Sequence, residues 1–403
     1  PADKTQIFIT ILFVFIVEYI KFIEKVFVMM LNNENMMEPI AKLNSWLNKL
    51  IEVGGADLHL KSNRPVHARV KSDIAILSHE IVSHEIMGKL VQILMKDKYA
   101  NFKETKEFDG HYSFNDDFRF RVNIYMHLDG YSIALRLIPK SIKSIEALNL
   151  PSALHNLAKL RRGLVLITGT TGSGKSTTLS SIIEEINQNY PYHIITIEDP
   201  IEYVYRDKKC IIEQRELGNH TNSFSLALRA AMREDPDIIV VGEIRDIATA
   251  ESILQAVNTG HLVFSTVHTL DARETIDRMI AIFPSEEQNR IRTTLAATIA
   301  AVISQRLIKG ISGEMVPAVE MMFRSPLVQE LIRTKRDNEI PDAIAKEGKM
   351  FHSITFNQAL FDLTLAGKIT EEQAYQYASS PSDLKLMFTL STEYEAKKSK
   401  NKV

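Results

Sequence analysis

Residues Leu164 to Thr178 read L-V-L-I-T-G-T-T-G-S-G-K-S-T-T. The apolar run Leu164 to Ile167 has the composition of a buried strand. After the glycine-rich loop, apolar residues recur at helical spacing, at positions 179, 182, 183 and 186. A strand, a loop ending in Gly-Lys-Ser and a helix, in this order, predict a phosphate-binding P-loop.

The loop carries the residue types that phosphate chemistry requires. Its glycines let successive backbone N–H groups point at phosphate oxygens from the start of a helix. Lys175 is expected to neutralise the β- and γ-phosphates, and the Ser176 hydroxyl to complete the shell of a Mg²⁺ ion. ATP and Mg²⁺ are therefore the expected cofactors. The predicted nucleotide-binding residues are Gly169, Thr170, Thr171, Gly172, Ser173, Gly174, Lys175, Ser176 and Thr177.

The composition is that of an ordinary globular protein of roughly two or three domains. The chain has 403 residues, of which 45% are hydrophobic and 24% charged. Its net charge of −2 gives no basic bias, so we expect no nucleic-acid partner. The single cysteine, Cys210, excludes an intrachain disulfide and a zinc ribbon, so no zinc is expected.

Residues 1–36 form an extension unlike the rest of the chain. Its apolar run, Ile7 to Val17, is shorter than the roughly 20 residues of an ordinary membrane span, and it lacks the flanks of a signal peptide. Our hypothesis is that translation starts at one of the methionines between Met29 and Met37. A peptide mapped before Met29 in the native protein would contradict it. The alternative is an interfacial, membrane-anchoring helix.

Residues 37–139 are predicted to form a small α+β domain, in which a helix precedes an antiparallel sheet. Arg121 and Arg136 lie in two of the predicted strands. From periodicity alone, we favour a solvated sheet face for such residues. Residues 140–150 have the character of a linker.

Residues 151–390 are predicted to form a second domain built on a parallel sheet. Its apolar runs are separated by helix-like segments, which indicates strands covered on both faces. Towards the C terminus we expect one long helix over Glu286–Leu307, then a strand and further helices. Residues 391–403 are expected to be a flexible basic tail. The predicted parallel strands are Leu164–Thr168, Ile194–Ile197, Ile238–Val241 and His261–Val267.

Chemically useful residues stand at the ends of these strands. Glu198 and Asp199 follow the second strand, Glu243 follows the third, and His261 and His268 bracket the fourth. Ligands of parallel sheets bind beyond the carboxyl ends of the strands, where a carboxylate can activate water or hold water on Mg²⁺. Any one of these residues alone is better interpreted as a satisfied polar group. Their convergence on a P-loop favours a catalytic site.

From about Met37 to Phe388 the chain resembles the secretion-superfamily ATPases, most closely the PilT-type retraction ATPases of type IV pili. Four nucleotide motifs and one N-terminal motif, in the family's order, carry the resemblance. They are the P-loop, I-E-D-P-I-E at 197–202 (the Asp box), G-E-I-R-D at 242–246 (the Walker B region), H-L-V-F-S-T-V-H at 261–268 (the His box) and G-A-D-L-H-L at 55–60.

The resemblance implies an α/β fold, in which a smaller PAS-like α+β domain precedes a RecA-like P-loop NTPase domain with a mostly parallel sheet. It implies a cytoplasmic homohexamer that hydrolyses ATP, docks on an inner-membrane platform protein and powers pilus retraction. This places the motor at the membrane periphery, through its complex.

The resemblance also implies residue roles. Glu243 would be the catalytic acid, Glu198 would assist with metal or water, and His268 would sense the phosphate. Arg121 and Arg136 would reach nucleotide phosphates, against the solvated-face interpretation, since guanidinium forks suit a transferring phosphoryl group. His261 and Asp199 are secondary candidates.

The chain departs from the usual patterns at two places. Gly242 replaces the usual Walker B aspartate, as it does across the family, so Mg²⁺ would rely on Ser176, phosphate and water, with help from Glu198 or Glu243. Residues 327–334, L-V-Q-E-L-I-R-T, match the family's A-I-R-N-L-I-R-E-like helix only in part.

Two alternative functions remain open. A pilus-extension or type II secretion ATPase typically has a longer N-terminal region and often a tetracysteine insert, which Cys210 alone cannot supply. A ring subunit that binds nucleotide without hydrolysing it would have no need of intact acids and arginines.

Overall fold

The computed structural model describes residues 37–70, 73–115, 118–138, 141–392 and 394. The expectations for residues 1–36 and for most of the basic tail lie outside these residues. The chain divides into two compact units, Pro1–Lys140 and Ser141–Val403, called here the first and second units. Within the described ranges, no helix is both long and apolar enough to cross a membrane.

The first unit is a six-stranded antiparallel sheet with helices, as predicted. Its strand order is β3-β2-β1-β6-β5-β4. Leu43, Leu47 and Leu50 of the first helix pack with Phe120 and Val122 of the sheet in one core. The edge strand β3 was not predicted, since its exposed pattern carries no clear alternation. The elements are α1 (37–52), β1 (Gly55–Lys61), β2 (Arg64–Val70), β3 (Asp73–Val82), α2 (His84–Met95), α3 (Tyr99–Thr105), β4 (Glu107–Ser113), β5 (Arg119–His127) and β6 (Gly130–Ile138).

The second unit confirms the predicted α/β fold with a mostly parallel sheet. Seven strands have the order β13-β12-β7-β11-β10-β8-β9, and only the β12–β13 pair of this sheet is antiparallel. The elements are β7 (Gly163–Thr168), α4 (Lys175–Asn189), β8 (His193–Glu198), β9 (Ile211–Glu216), α5 (Phe224–Ala231), β10 (Ile238–Val241), α6 (Ile247–Asn258), β11 (Leu262–Val267), α7 (Ala272–Ala281), α8 (Gln288–Thr298), β12 (Ile299–Lys309), β13 (Met315–Phe323), α9 (Pro326–Arg333), α10 (Ile340–Phe351), α11 (Phe356–Leu365), α12 (Glu371–Tyr377) and α13 (Pro381–Leu390).

Two apolar clusters cover the sheet of the second unit. One packs α5, α6, α7 and α8 on the sheet, and the other packs α4 on it. Ile145 and Leu150, from the predicted linker, are buried in the second of these clusters. Part of the predicted linker therefore packs on the second unit.

The predicted helix over Glu286–Leu307 is wrong in its second half. Helix α8 ends at Thr298, and β12 follows it at once between β7 and β13. The first seven residues of β12 are all buried. A strand buried on both faces shows no polar alternation, so its apolar run has the same appearance in sequence as a buried helix.

Glu320 on β13 joins the starts of two helices. Its side chain is almost fully buried and accepts the backbone N–H of Ala272 at 2.9 Å and that of Phe356 at 3.4 Å. These residues begin α7 and α11, where backbone N–H groups have no partner within the helix. One carboxylate therefore ties α11 to the helix that follows the His box.

Burial raises the pKa of Glu320 from 4.5 to about 7. The folded state thus binds this proton more tightly than the unfolded state does. We expect the contribution of Glu320 to the free energy of unfolding to be fully present below pH 4.5. That contribution should fall by about 3 kcal/mol as the pH rises from 4.5 through 7. Urea unfolding of wild type and Glu320→Gln at pH 4.5 and 8 measures this, since the amide does not titrate. The same pH dependence in both proteins would contradict the expectation.

Candidate functional site

The P-loop connects β7 to α4, as predicted. Every residue of β7 is buried, and the loop glycines adopt positive φ angles of 142° at Gly169, 80° at Gly172 and 88° at Gly174. A Cβ on Gly169 would clash with the backbone oxygen of Gln305, and one on Gly174 would lie 2.7 Å from the Gln305 side-chain nitrogen. Gly169 and Gly174 are therefore required both by conformation and by close packing, and Gly172 by conformation alone.

Lys175 is the first residue of α4 and is buried against the loop. Its Nζ donates to the carbonyl oxygens of Gly169 at 2.8 Å and Thr170 at 3.0 Å. Burial lowers the pKa of Lys175, and the charges of Glu243 and Glu202 act in the opposite direction. Phosphate groups beside this ammonium would also raise its pKa and so offset the effect of burial, which suits a phosphate-binding role.

Strand β12 supports the P-loop through Gln305. The Gln305 Nε2 donates to the Ser173 backbone oxygen at 2.8 Å, and its Oε1 accepts from the Thr178 hydroxyl at 2.6 Å. One residue earlier, the Ser304 hydroxyl accepts from Thr168 at 2.9 Å. These two residues were not predicted, because the apolar run that contains them has the appearance of a helix in the sequence. The available signal was a Ser-Gln pair at the end of an apolar run.

The remaining P-loop residues have different surroundings. Thr170 and Thr171 are exposed, Ser173 is buried, and Ser176 lies half-buried in the first turn of α4. The Thr177 hydroxyl lies 2.9 Å from that of Tyr203, which follows the Asp box.

The two predicted catalytic acids lie at the same edge of the sheet. Strands β8 and β10 are parallel neighbours, with Ile197 opposite Val241. Glu198 ends β8, and Glu243 follows β10 by two residues. Strands β11 and β7 continue the parallel sheet, so their carboxyl ends, including the start of the P-loop, share this edge.

Glu198 is suited to assist a cation. Burial raises its pKa, whereas hydrogen bonds from the Thr196 hydroxyl at 2.6 Å and the Gln214 amide at 3.1 Å act in the opposite direction. A nearby divalent cation would stabilise the charged carboxylate. Among the residues with a described placement, no group of three or more His, Cys, Asp and Glu side chains could hold a metal.

Glu243 lies in a small charged network. One of its oxygens pairs with Arg245, and the other lies 3.5 Å from Nε2 of His268, which follows β11. Arg245 also donates to Asp199 at 3.2 Å. The Glu243 side chain is only 17% exposed, whereas those of Arg245 and His268 are more than half exposed. The structure thus brings Glu243, His268 and Asp199 together.

Arg245 is a functional candidate that sequence analysis missed. It bridges the acid of the Walker B region to the Asp box, because it contacts both Glu243 and Asp199. The available signal was a basic residue two positions after the acid at a strand end.

His261 is not brought to this site. It precedes β11, so it lies at the opposite end of that strand from His268, about 20 Å away for an extended strand of this length. Its ring Nδ1 is 3.0 Å from both the Ala256 carbonyl oxygen and the Thr259 hydroxyl, at the end of α6. Its surroundings are those of a satisfied polar group at a helix end.

Arg121 and Arg136 face each other in the first unit. They are direct cross-strand partners on β5 and β6. Arg136 Nε donates to Asp57 at 2.6 Å, and Arg121 lies 3.7 Å from Asp109. Both side chains are exposed: 69% of the Arg136 side chain and 42% of the Arg121 side chain.

Comparisons with known proteins show which family and which solved structures this chain is similar to. The family model for type II/IV secretion system proteins matches residues 33–336. A type IV pilus retraction ATPase, PilT of Pseudomonas aeruginosa, is 40% identical over 329 residues, which are 81% of this chain and 95% of that protein. A twitching motility protein of Neisseria gonorrhoeae is 40% identical over 314 residues, which are 77% of this chain and 84% of that protein. A crystal structure of the pilus retraction motor PilT with bound ADP has a TM-score of 0.79 at 39% identity, covering 85% of this chain and 98% of that one.

Proposed function

The chain belongs to the type II/IV secretion system protein family, and from this membership we propose that it hydrolyses ATP to power type IV pilus retraction. The observation that carries the proposal is the common sheet edge shared by the P-loop, Glu198 and the Glu243–His268 pair. The similarity to a retraction ATPase over most of both chains supports the retraction branch of the family.

The proposed chemistry follows from the side chains at this edge. The P-loop N–H groups and Lys175 bind the β- and γ-phosphates, and the Ser176 hydroxyl would be the P-loop's ligand to Mg²⁺. When bound, Mg²⁺ neutralises charge on the phosphates. Glu243 orients the attacking water and accepts its proton. Glu198 holds water near the metal, and His268 contacts the phosphate beside Glu243.

The proposed assembly is a cytoplasmic homohexamer, peripheral to the inner membrane, that docks on a platform protein of the pilus machinery. In this assembly Arg121 and Arg136 of the first unit reach the nucleotide phosphates. Guanidinium groups suit this role, because their planar forks match the charge that spreads over a transferring phosphoryl group.

The direct test is pilus retraction in a strain that lacks its own retraction ATPase and expresses this chain. We expect labelled pili to retract with the wild-type chain and to remain extended with Glu243→Gln at matched expression. More surface pili with the wild-type chain would instead favour an extension ATPase. In a strain that lacks its type II secretion ATPase, protein secretion restored by this chain would favour that function. A purified chain that binds ATP without hydrolysing it would favour a regulatory ring subunit.

A further inference from the structure

A row of ionisable residues crosses five strands of the first unit. In successive cross-strand pairs, the row runs from β2 through β1, β6 and β5 to β4. Leu58, Val122 and Leu135, which alternate with its members along the strands, are buried in the core, so the row lies on the opposite face. Its members are Arg69, Asp57, Arg136, Arg121 and His111.

Asp57 is the one acidic member of this row, and its side chain is only 8% exposed. It accepts from Arg136 Nε at 2.6 Å and lies 3.7 Å from Arg69 Nε. A buried carboxylate requires such partners, because desolvation disfavours an unpaired charge. The Asp57 carboxylate is therefore nearly buried against the sheet, whereas the Arg136 side chain that it contacts is 69% exposed.

The hydrogen bond to Asp57 restricts the orientation of the exposed Arg136 guanidinium. A bond to Nε restricts a long side chain that would otherwise sample many rotamers. It also sets the direction of the outer nitrogens, because the guanidinium is a rigid planar fork. Arg121 lies directly opposite Arg136, and like charges in that arrangement repel each other. The Asp57 charge offsets that repulsion.

We propose that Asp57 is a positioning residue that holds the Arg136 guanidinium ready to engage nucleotide phosphate. The inference rests on the proposed function, in which Arg136 reaches the nucleotide. Asp57 itself touches no substrate and acts through Arg136. If Asp57 only stabilised the sheet, its substitution would change kcat to the same extent whether or not Arg136 is present.

A double-mutant cycle on the full-length ATPase separates the two roles. Arg136→Ala is expected to lower kcat about 100-fold, below the range measured for arginine fingers. Asp57→Asn keeps the shape of the side chain but removes its charge, and we expect about a tenfold loss of kcat. In the Arg136→Ala background, Asp57→Asn should lower kcat no further, because the residue through which it acts is absent.

The chain offers a matched control in Asp109. It pairs with Arg121 on the same sheet, but at 3.7 Å and with its side chain 62% exposed. Asp109→Asn should therefore change kcat by less than about twofold. If Asp57→Asn fails to fold by circular dichroism, Arg136→Lys is measured instead. Lysine keeps the charge but lacks the planar fork, so we expect about a tenfold loss.

The outcomes distinguish a failure of the role of Asp57 from a failure of the proposed function. An equal effect of Asp57→Asn with and without Arg136, or no effect in a folded variant, would overturn the inference alone. Wild-type kcat for Arg136→Lys would do the same. Wild-type kcat for Arg136→Ala would remove the proposed phosphate contact and the inference with it. A wild-type protein without ATPase activity would instead refute the proposed function.

Discussion

Glu243→Gln is expected to lower the kcat of ATP hydrolysis by about a thousandfold, within the range of general acid–base catalysis. The amide has the size of the carboxylate but cannot accept the proton of the attacking water. It also loses the charge that pairs with Arg245 and faces His268 in the structure. ATP binding should persist, because the P-loop and Lys175 are unchanged.

The measurement combines steady-state ATPase rates with calorimetric binding of ATP. Glu251→Gln is the matched control, because it neutralises an exposed glutamate on α6 of the same unit. Its rate should stay within about twofold of wild type, as for other surface substitutions. An unchanged hydrolysis rate in Glu243→Gln would exclude Glu243 as the proton acceptor. A rate lost together with ATP binding would indicate a binding role instead.

Lys175→Ala is expected to weaken ATP binding by at least about 100-fold, which corresponds to losing two charge-assisted hydrogen bonds to phosphate. In the structure the ammonium is buried and donates to two loop carbonyls. Burial lowers the pKa of Lys175, so its charged form is disfavoured where no phosphate offsets the burial. Removing the side chain should therefore weaken nucleotide binding much more than it weakens the fold.

Thermal unfolding with and without Mg-ATP measures this difference. A ligand that binds the folded state and not the unfolded state raises Tm, and the rise grows with the logarithm of 1 + [L]/Kd. We expect wild type to gain Tm with Mg-ATP and Lys175→Ala to gain none, with similar Tm values without nucleotide. Lys368→Ala, at an exposed lysine of the same unit, should behave as wild type does. A normal Tm gain in Lys175→Ala would contradict the role of this lysine.

Much of the site was predictable because its parts are short and contiguous in sequence. The apolar run before Gly169 and the helical spacing after Lys175 identified β7 and α4. The acids Glu198 and Glu243 were predicted from their positions after apolar runs. This reasoning works when a strand is buried on both faces and its neighbours are parallel, because the carboxyl ends then share one edge.

The same reasoning failed where the direction of a strand, or whether a segment is a strand or a helix, decided which side chains lie at the site. His261 and His268 were predicted together, but a strand separates them and only His268 reaches the acid. Gln305 was missed because the fully buried β12 has no alternation that distinguishes it from a helix. Arg245 was missed because the sequence does not show which residues a charged side chain in a loop contacts.

The sequence by itself predicted a phosphate-binding P-loop, because such a loop forms from backbone N–H groups and glycine conformations that are local in the chain. Only the tertiary structure decided which distant side chains support it. Gln305 reaches Ser173 across 132 residues, Arg245 reaches Asp199 across 46, and Arg136 reaches Asp57 across 79. Strand pairing and register create these contacts, and neither is encoded by the residues of one segment alone.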